Sequence, residues 1–355
     1  MITAYEHWLS LPPYGWTQAE KERRYIPYLQ ELTAYHRNRC AAYDRALQVQ
    51  HYTKADTLAQ LPFLPVSLFK KFDLKSIKET EIFKTVTSSG TSGQAVSRIP
   101  LNAANARAQQ TVLSRIGQHF LGSQRLPMLI IDTPAVFADR NTFNARGAAI
   151  LGFSLFAKKK YFALQEDLSL NRDILKHFAD HPSQPFFIFG FTAMIWKYFY
   201  EAVKNASYTV DFSHAVLIHG GGWKKMLSQS VTAAAYKQEL TRIFGITRIH
   251  NYYGMAEQTG CIYMECEYGH LHASIFSDIL IRDPLDFSLC PVGKEGIVQV
   301  LTPLATAYVG HSILTEDLGV LLGTDDCPCG RKGNYFHIHG RIPQAEVRGC
   351  SDVPH

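Results

Sequence analysis

The segment Ala215-Val216-Leu217-Ile218-His219-Gly220-Gly221-Gly222 is a short apolar run that ends in three glycines. A run of this length suits a strand buried on both faces, and the glycines leave the backbone beyond it open to a ligand. The arrangement recurs. Pro127-Met128-Leu129-Ile130-Ile131-Asp132 is another buried run, and 147–156 is a further apolar segment. Phe186-Phe187-Ile188-Phe189-Gly190 precedes a helix-like stretch over 192–203, and 241–253 ends at Gly254. Strands that end in Gly-rich loops before helices predict an α/β fold with largely parallel sheets flanked by helices.

Working outward, residues 17–47 are rich in Glu, Lys, Arg, Leu, Tyr and Ala, interrupted only by Pro27, and read as helices. Leu61-Pro62-Phe63-Leu64-Pro65-Val66 breaks that pattern, and 102–116 is helical again with Asn102 as its N-cap. From 297 to 348 the pattern changes to short strands and turns, as in Ile297-Val298-Gln299-Val300-Leu301. The expected organisation is a helical N-terminal segment (1–80), an α/β core (81–295) and a small β-rich C-terminal subdomain (296–355).

Between two strand-like runs lies Thr87-Ser88-Ser89-Gly90-Thr91-Ser92-Gly93-Gln94. Glycines let backbone N–H groups close on an anion, and the hydroxyls add donors, so the string reads as a phosphate cradle at a hairpin tip. Taken alone it reads as readily as a polar hairpin loop. It is not a Walker A motif, because no Gly-Lys-Ser/Thr follows.

The composition, 46% hydrophobic and 19% charged over 355 residues, predicts a large packed core rather than disorder. A net charge of +5 is mild for this length, and its one basic run, Lys158-Lys159-Lys160, reads as a solvated turn rather than a nucleic-acid site. No signal peptide is apparent, and the most apolar stretch, 185–196, is too short to span a bilayer. Seven cysteines, an odd number, suggest reduced thiols and a cytoplasmic protein.

Three further segments bear on chemistry. Gly220-Gly221-Gly222-Trp223 exposes backbone where a flat ring can lie. Asn251-Tyr252-Tyr253-Gly254-Met255-Ala256-Glu257 sets one carboxylate four residues after Tyr253, and Thr315-Glu316-Asp317-Leu318-Gly319 presents acids suited to ribose hydroxyls. As an ordered set, these segments and the Thr/Ser/Gly loop resemble the N-terminal domain of the adenylate-forming (ANL) superfamily of acyl and aryl ligases. Within it the chain is most similar to the acyl-protein synthetases of bacterial luminescence operons, the LuxE family. The likeness runs from Phe63-Leu64-Pro65-Val66-Ser67-Leu68-Phe69-Lys70 through Tyr253-Gly254-Met255-Ala256-Glu257-Gln258-Thr259-Gly260 to Arg348-Gly349-Cys350. Phenylacetate–CoA ligases are more distantly similar.

The resemblance implies an ATP-dependent ligase that activates a carboxylic acid, with a fatty acid as the expected substrate, as acyl-adenylate. Ser88, Ser89, Gly90, Thr91, Ser92 and Gly93 would wrap the β- and γ-phosphates. Gly220, Gly221 and Gly222 would flank adenine, with Tyr253 and the adjoining Gly254 on its other side. Glu257 would hold Mg²⁺, Asp317 the ribose, and Arg341 would sit near the nucleotide. Ala256 stands where the superfamily usually has a hydroxyl. The chain ends fourteen residues after Arg341, whereas superfamily ligases continue into a mobile lid of roughly 100 residues. The expectation is therefore a chain without a lid of its own. Cys350 is then implied as the acyl acceptor, handing a thioester to an acyl reductase partner. Release to CoA or to a carrier-protein thiol is the alternative, and a catalytically retired scaffold subunit is a third reading.

Cys266 and His272, with Cys327-Pro328-Cys329-Gly330, offer three thiolates and an imidazole, the donor set of a structural zinc site. Phenylacetate–CoA ligase-like proteins carry similar elements. His270 is the alternative fourth ligand, and buried reduced cysteines are the alternative to a metal. Cys40, Cys261 and Cys290 lack such neighbours and read as core. Phe186, Phe189, Phe191 and Trp196 read as core in preference to an acyl pocket.

Overall fold

The computed structural model describes residues 6–88, 96–137, 145–181, 184–206, 210–223 and 230–342. By their internal contacts the described residues form two compact units, one from residues 6–116 and 254–342, the other from 117–253. These limits differ from the divisions at 80 and 295 drawn from sequence order.

The first unit opens with helix α1 (Gln18–Arg37), whose start is fixed by a capping box. The Glu20 N–H donates to the Thr17 hydroxyl at 3.3 Å, and the Thr17 N–H donates back to the Glu20 carboxylate at 3.0 Å. The helix runs through Pro27 and parts from α2 (Ala41–Val49) only at 38–40. Its inner face buries Tyr25, Leu29 and Leu32. Buried on the same helix, Lys21 donates to the Ser277 carbonyl at 3.0 Å and lies 3.6 Å from the Asp278 carboxylate. This pairing offsets the cost of a charge removed from water. Strand β1 (Leu64–Pro65) follows, then a hairpin of β2 (Lys84–Thr87) and β3 (Arg98–Leu101). Helix α3 (Ala103–Leu121) begins where the Asn102 side chain accepts the Asn105 N–H at 2.8 Å.

The second unit is a parallel sheet. Its strands are β4 (Leu126–Ile131), β5 (Ala157–Phe162), β6 (Phe186–Phe191), β7 (Ala215–Gly220) and β8 (Arg248–Tyr253). They pair in the order β5-β4-β6-β7-β8. Every residue of β6 and β7 is buried, as expected when helices cover both faces of a parallel sheet. The crossovers carry α4 (Ala145–Phe153), α5 (Arg172–Ala179), a helical stretch after β6, and α8 (Ala233–Phe244). The stretch after β6 is α6 (Thr192–Met194), a π-helical segment (Ile195–Tyr200) and α7 (Glu201–Lys204). Phe199 and Phe244 stack in the core with centroids 4.5 Å apart. The three lysines expected in a turn lie instead in β5, at the margin of this parallel set, where exposed charge discourages stray pairing.

Back in the first unit, β9 (Tyr263–Glu265), β10 (Leu271–His272), β11 (Asp278–Arg282), β12 (Glu295–Leu301), β13 (Ser312–Thr324) and β14 (Asn334–Arg341) pair antiparallel in the order β11-β12-β13-β14-β10-β9. Strand β1 adds in parallel to β13, with Leu64 opposite Ile313. No helix among the described residues is long and apolar enough to cross a membrane.

Candidate active site

In the parallel unit, ligand-facing chemistry is expected outside the carboxyl ends of the strands. Strand β7 ends there in Gly220-Gly221-Gly222. Gly221 has φ +68°, and a Cβ on it would stand 3.0 Å from the Phe191 ring, so this turn requires glycine. Gly220 is the register partner of Tyr252, and a Cβ there would stand 2.4 Å from the Tyr252 ring. The ring packed on the glycine backbone thus belongs to Tyr252. Tyr253, the residue proposed from sequence, is half-buried one position further along β8, and side chains alternate faces along a strand. That alternation was legible from the Tyr-Tyr pair, whereas the register that sets Tyr252 against Gly220 was not.

Two polar pairs at the same strand ends went unread in the sequence. Asp132, just past β4, lies 3.0 Å from the Arg146 guanidinium and accepts the Thr133 N–H at 2.8 Å. Burial pushes its carboxyl up from the usual range, against the pull of Arg146. His219 Nδ1 lies 2.9 Å from the Thr192 hydroxyl, joining the end of β7 to the helix that follows β6.

In the other unit, Ser88 closes the β2–β3 hairpin stem. Its N–H donates to the Ser97 carbonyl at 3.1 Å, and its hydroxyl accepts the Ser97 N–H at 2.9 Å. Ser89, Gly90, Thr91, Ser92 and Gly93 lie outside the described residues, as does Cys350. Gly254 opens the loop to Glu257, which sits on a short 3₁₀ turn (Ala256–Gln258) and is 2% exposed. The Gln258 amide fastens this turn by donating to the carbonyls of Gly310, at 2.9 Å, and Val300, at 3.2 Å. Tyr308 donates to the Glu257 carbonyl at 2.8 Å. Asp317 on β13 faces Arg341 on β14 in register, with Oδ1 3.5 Å from the guanidinium. Glu316, the neighbour not singled out from sequence, is 3.7 Å from the same guanidinium. The Asp317 N–H is held by the Thr315 hydroxyl at 3.1 Å.

The ligand atoms of Cys266, His272, Cys327 and Cys329 all lie within 4.8 Å of one another. Cys266 and Cys327 sulfurs are 4.0 Å apart, and Cys329 sulfur is 3.3 Å from His272 Nε2. His270 stands beside this group with Nδ1 3.3 Å from Cys327 sulfur. Tyr335 stacks on both imidazoles, at 5.0 and 5.6 Å between centroids.

The glycine turn that ends β7 belongs to one unit, and the buried Glu257 carboxylate and the Asp317–Arg341 pair belong to the other. The profile of the acyl-protein synthetase family, LuxE, matches residues 3–354, and the chain belongs to that family. A long-chain-fatty-acid–luciferin-component ligase of Aliivibrio fischeri is 24% identical over 360 residues, covering 96% of this chain and 90% of that protein. Its counterpart from Vibrio harveyi is 22% identical over 318 residues, covering 83% and 78%. Among solved structures, 2-hydroxyisobutyryl-CoA ligase with 2-HIB-AMP and CoA aligns with a TM-score of 0.71 at 16% identity, covering 94% of this chain and 77% of that one. ATP-bound MatB of Rhodopseudomonas palustris aligns at 0.50 and 17%, covering 75% and 49%. The chain is thus an acid ligase of the acyl-protein synthetase class.

Proposed function

We propose that the protein activates a long-chain fatty acid and carries it on its own Cys350 before passing it to an acyl reductase. A carboxylate oxygen of the acid attacks the α-phosphate of ATP, and pyrophosphate leaves. The Cys350 thiolate then attacks the acyl carbonyl, and AMP leaves with the bond electrons. The observation that carries this reading is the family match over residues 3–354, supported by relatives named as long-chain-fatty-acid ligases.

Residue roles are those the family resemblance implies, and the donor chemistry of the residues suits them. Backbone N–H groups and hydroxyls of Ser88 to Gly93 receive the β- and γ-phosphates, and Gly220 to Gly222 with Tyr253 and Gly254 receive adenine. Asp317 accepts from ribose hydroxyls while Arg341 fixes the orientation of that acid. Glu257, a hard oxygen donor on a braced turn, suits Mg²⁺. Magnesium, when bound, offsets phosphate charge during the attack. The Cys266, His272, Cys327 and Cys329 group suits a structural zinc. Zn–S bonds of ~2.3 Å in a tetrahedron put sulfurs ~3.8 Å apart, close to the 4.0 Å between Cys266 and Cys327.

Intact-mass spectrometry after incubation with ATP, Mg²⁺ and a mixture of fatty and aromatic acids tests the reading. The expected result is a chain heavier by one fatty acyl group, removable by neutral hydroxylamine. Appearance of an acyl-CoA or acyl-carrier product with no loaded chain would move the acceptor elsewhere. Absence of both acyl adduct and acyl-AMP would leave only the scaffold role.

A further inference from the structure

The two turns that carry Cys266, Cys327 and Cys329 are built alike. Cys266 leads into Gly269 and Cys327 into Gly330. In each turn the glycine N–H donates to the cysteine carbonyl, at 3.0 and 2.9 Å, and the glycine is left-handed, with φ +82° and +81°. Such a turn aims the N–H groups that follow at sulfur. Those of Tyr268 and His270 donate to Cys266, that of Cys329 to Cys327, and that of Arg331 to Cys329. Donors on all three sulfurs favour thiolates over thiols.

Metal loading makes this group an anion. Each thiol gives up its proton as it ligates, so three thiolates and a neutral imidazole around Zn²⁺ carry one excess negative charge. Cys266, Cys327 and His272 are buried, and an enclosed anion is costly unless a cation meets it. Arg331 is placed to do so. Its guanidinium donates to the Cys329 sulfur, and its side chain is 12% exposed. It also donates to Glu267 at 2.8 Å, but that carboxylate is 53% exposed and water screens it. The buried Tyr14 ring, edge-on to His272 at 6.2 Å, lies 5.8 Å from the guanidinium, close enough for a cation–π contact. Lys21 also acts on His272 but is paired with Asp278.

We propose that Arg331 is the positioning residue of the metal site, its charge balancing the loaded group and its hydrogen bond setting the Cys329 sulfur. The proposal rests on the structural-zinc reading above. Glu267, on the other side of the guanidinium, has no such part, since a further negative charge does not favour a group that becomes an anion.

The test is zinc affinity, measured on the full chain by competition with a chromophoric chelator, in wild type, Arg331→Gln, Arg331→Lys and Glu267→Gln. Arg331→Gln, which keeps a hydrogen-bond donor and loses the charge, should bind zinc about ten- to a hundredfold more weakly. Arg331→Lys should regain most of that loss, and Glu267→Gln should bind no more weakly than wild type. Should Arg331→Gln fail to fold, the other two variants still carry the test. Cobalt-loaded protein should keep the thiolate charge-transfer bands of a tetrahedral site in Arg331→Lys and Glu267→Gln, showing that the ligands themselves are unchanged. Wild-type affinity in Arg331→Gln, equal loss in Arg331→Lys and Arg331→Gln, or a comparable loss in Glu267→Gln overturns the proposal while leaving the metal site intact. A wild-type chain that takes up no zinc removes the site itself.

Discussion

The Glu257 side chain is enclosed, with 2% of the residue exposed. The turn that carries it is braced from several sides, by the Gln258 amide and by the Tyr308 hydroxyl, so its place is fixed before any ligand arrives. Glu257→Gln keeps shape and volume while removing the charge. Its melting temperature should stay near wild type while Mg²⁺-dependent pyrophosphate exchange falls about a hundredfold or more, given the several kcal/mol that metal charge stabilisation contributes. Exchange at the wild-type rate would rule out the assignment. Glu257, Asp317 and Arg341 were proposed from motifs that tie residue type to order along the chain. Tyr252 was not, because it faces Gly220 across two strands, in a register that short apolar runs do not encode.

At the scale of elements, the β13–β14 hairpin joins two kinds of chemistry. Its body carries Asp317 and Arg341 in register, and its turn carries Cys327 and Cys329. Sequence spacing could not choose between His270 and His272, since residues two apart on a strand share a face, and both imidazoles do lie near cysteine sulfur. Purified protein should contain about one zinc per chain by elemental analysis. Cys329→Ala should lower stability by about 4 kcal/mol or more while leaving exchange by the folded fraction unchanged, because a closed site meets no substrate. Absence of zinc from protein prepared without chelator would defeat this.

The tie between α1 and the loops that flank β12 and β13 is a second element-scale device. His36 lies 2.7 Å from the Ser76 hydroxyl and 2.9 Å from the Ala305 carbonyl, and stacks on His311 at 5.1 Å. His311 in turn lies 3.0 Å from the Thr33 hydroxyl and 3.3 Å from that of Tyr43. Burial drives both imidazoles down, His311 to about 3 and His36 well below its ordinary value, with the neighbouring ring and Arg39 adding to the effect on His36. The unfolded chain binds protons near the ordinary histidine value while the folded one does not, so stability is full above about pH 6.5 and falls as pH drops toward 3. Urea midpoints should decline from pH 7 to pH 5, and His311→Gln should flatten that slope. An unchanged slope in the variant would show that other groups govern it. Nothing in the sequence announced this pair, since His36 and His311 meet only once helix and loop have packed.

At the scale of the whole molecule, sequence order conceals one unit built from two distant pieces. Gln18 donates to Asp278 at 2.6 Å across 260 residues, and β1 pairs with β13, so the described residues before 117 and after 253 fold together as one unit. Fold class was readable because local period and glycine-ended strands repeat along the chain. The boundaries were not, because they depend on which distant segments meet.

The acyl acceptor is a question for the whole chain, since Cys350 stands near its end and lies outside the described residues. The other thiols are poor competitors. Cys40, Cys261 and Cys290 are buried, and burial raises all three, Cys261 to about 12, which starves them of the reactive thiolate. Cys266, Cys327 and Cys329 cluster with His272, a setting for metal rather than for acyl transfer. Cys350 is the acceptor proposed above, as the family resemblance implies. Cys350→Ser changes one atom type and removes the thiolate, because a serine hydroxyl stays protonated near neutrality. The variant should make acyl-AMP and exchange pyrophosphate at the wild-type rate, since activation precedes the thiol step. It should no longer acquire hydroxylamine-sensitive acyl label or supply a reductase. Normal labelling of Cys350→Ser would move the acceptor to another group, and loss of exchange together with labelling would place Cys350 in activation rather than in transfer.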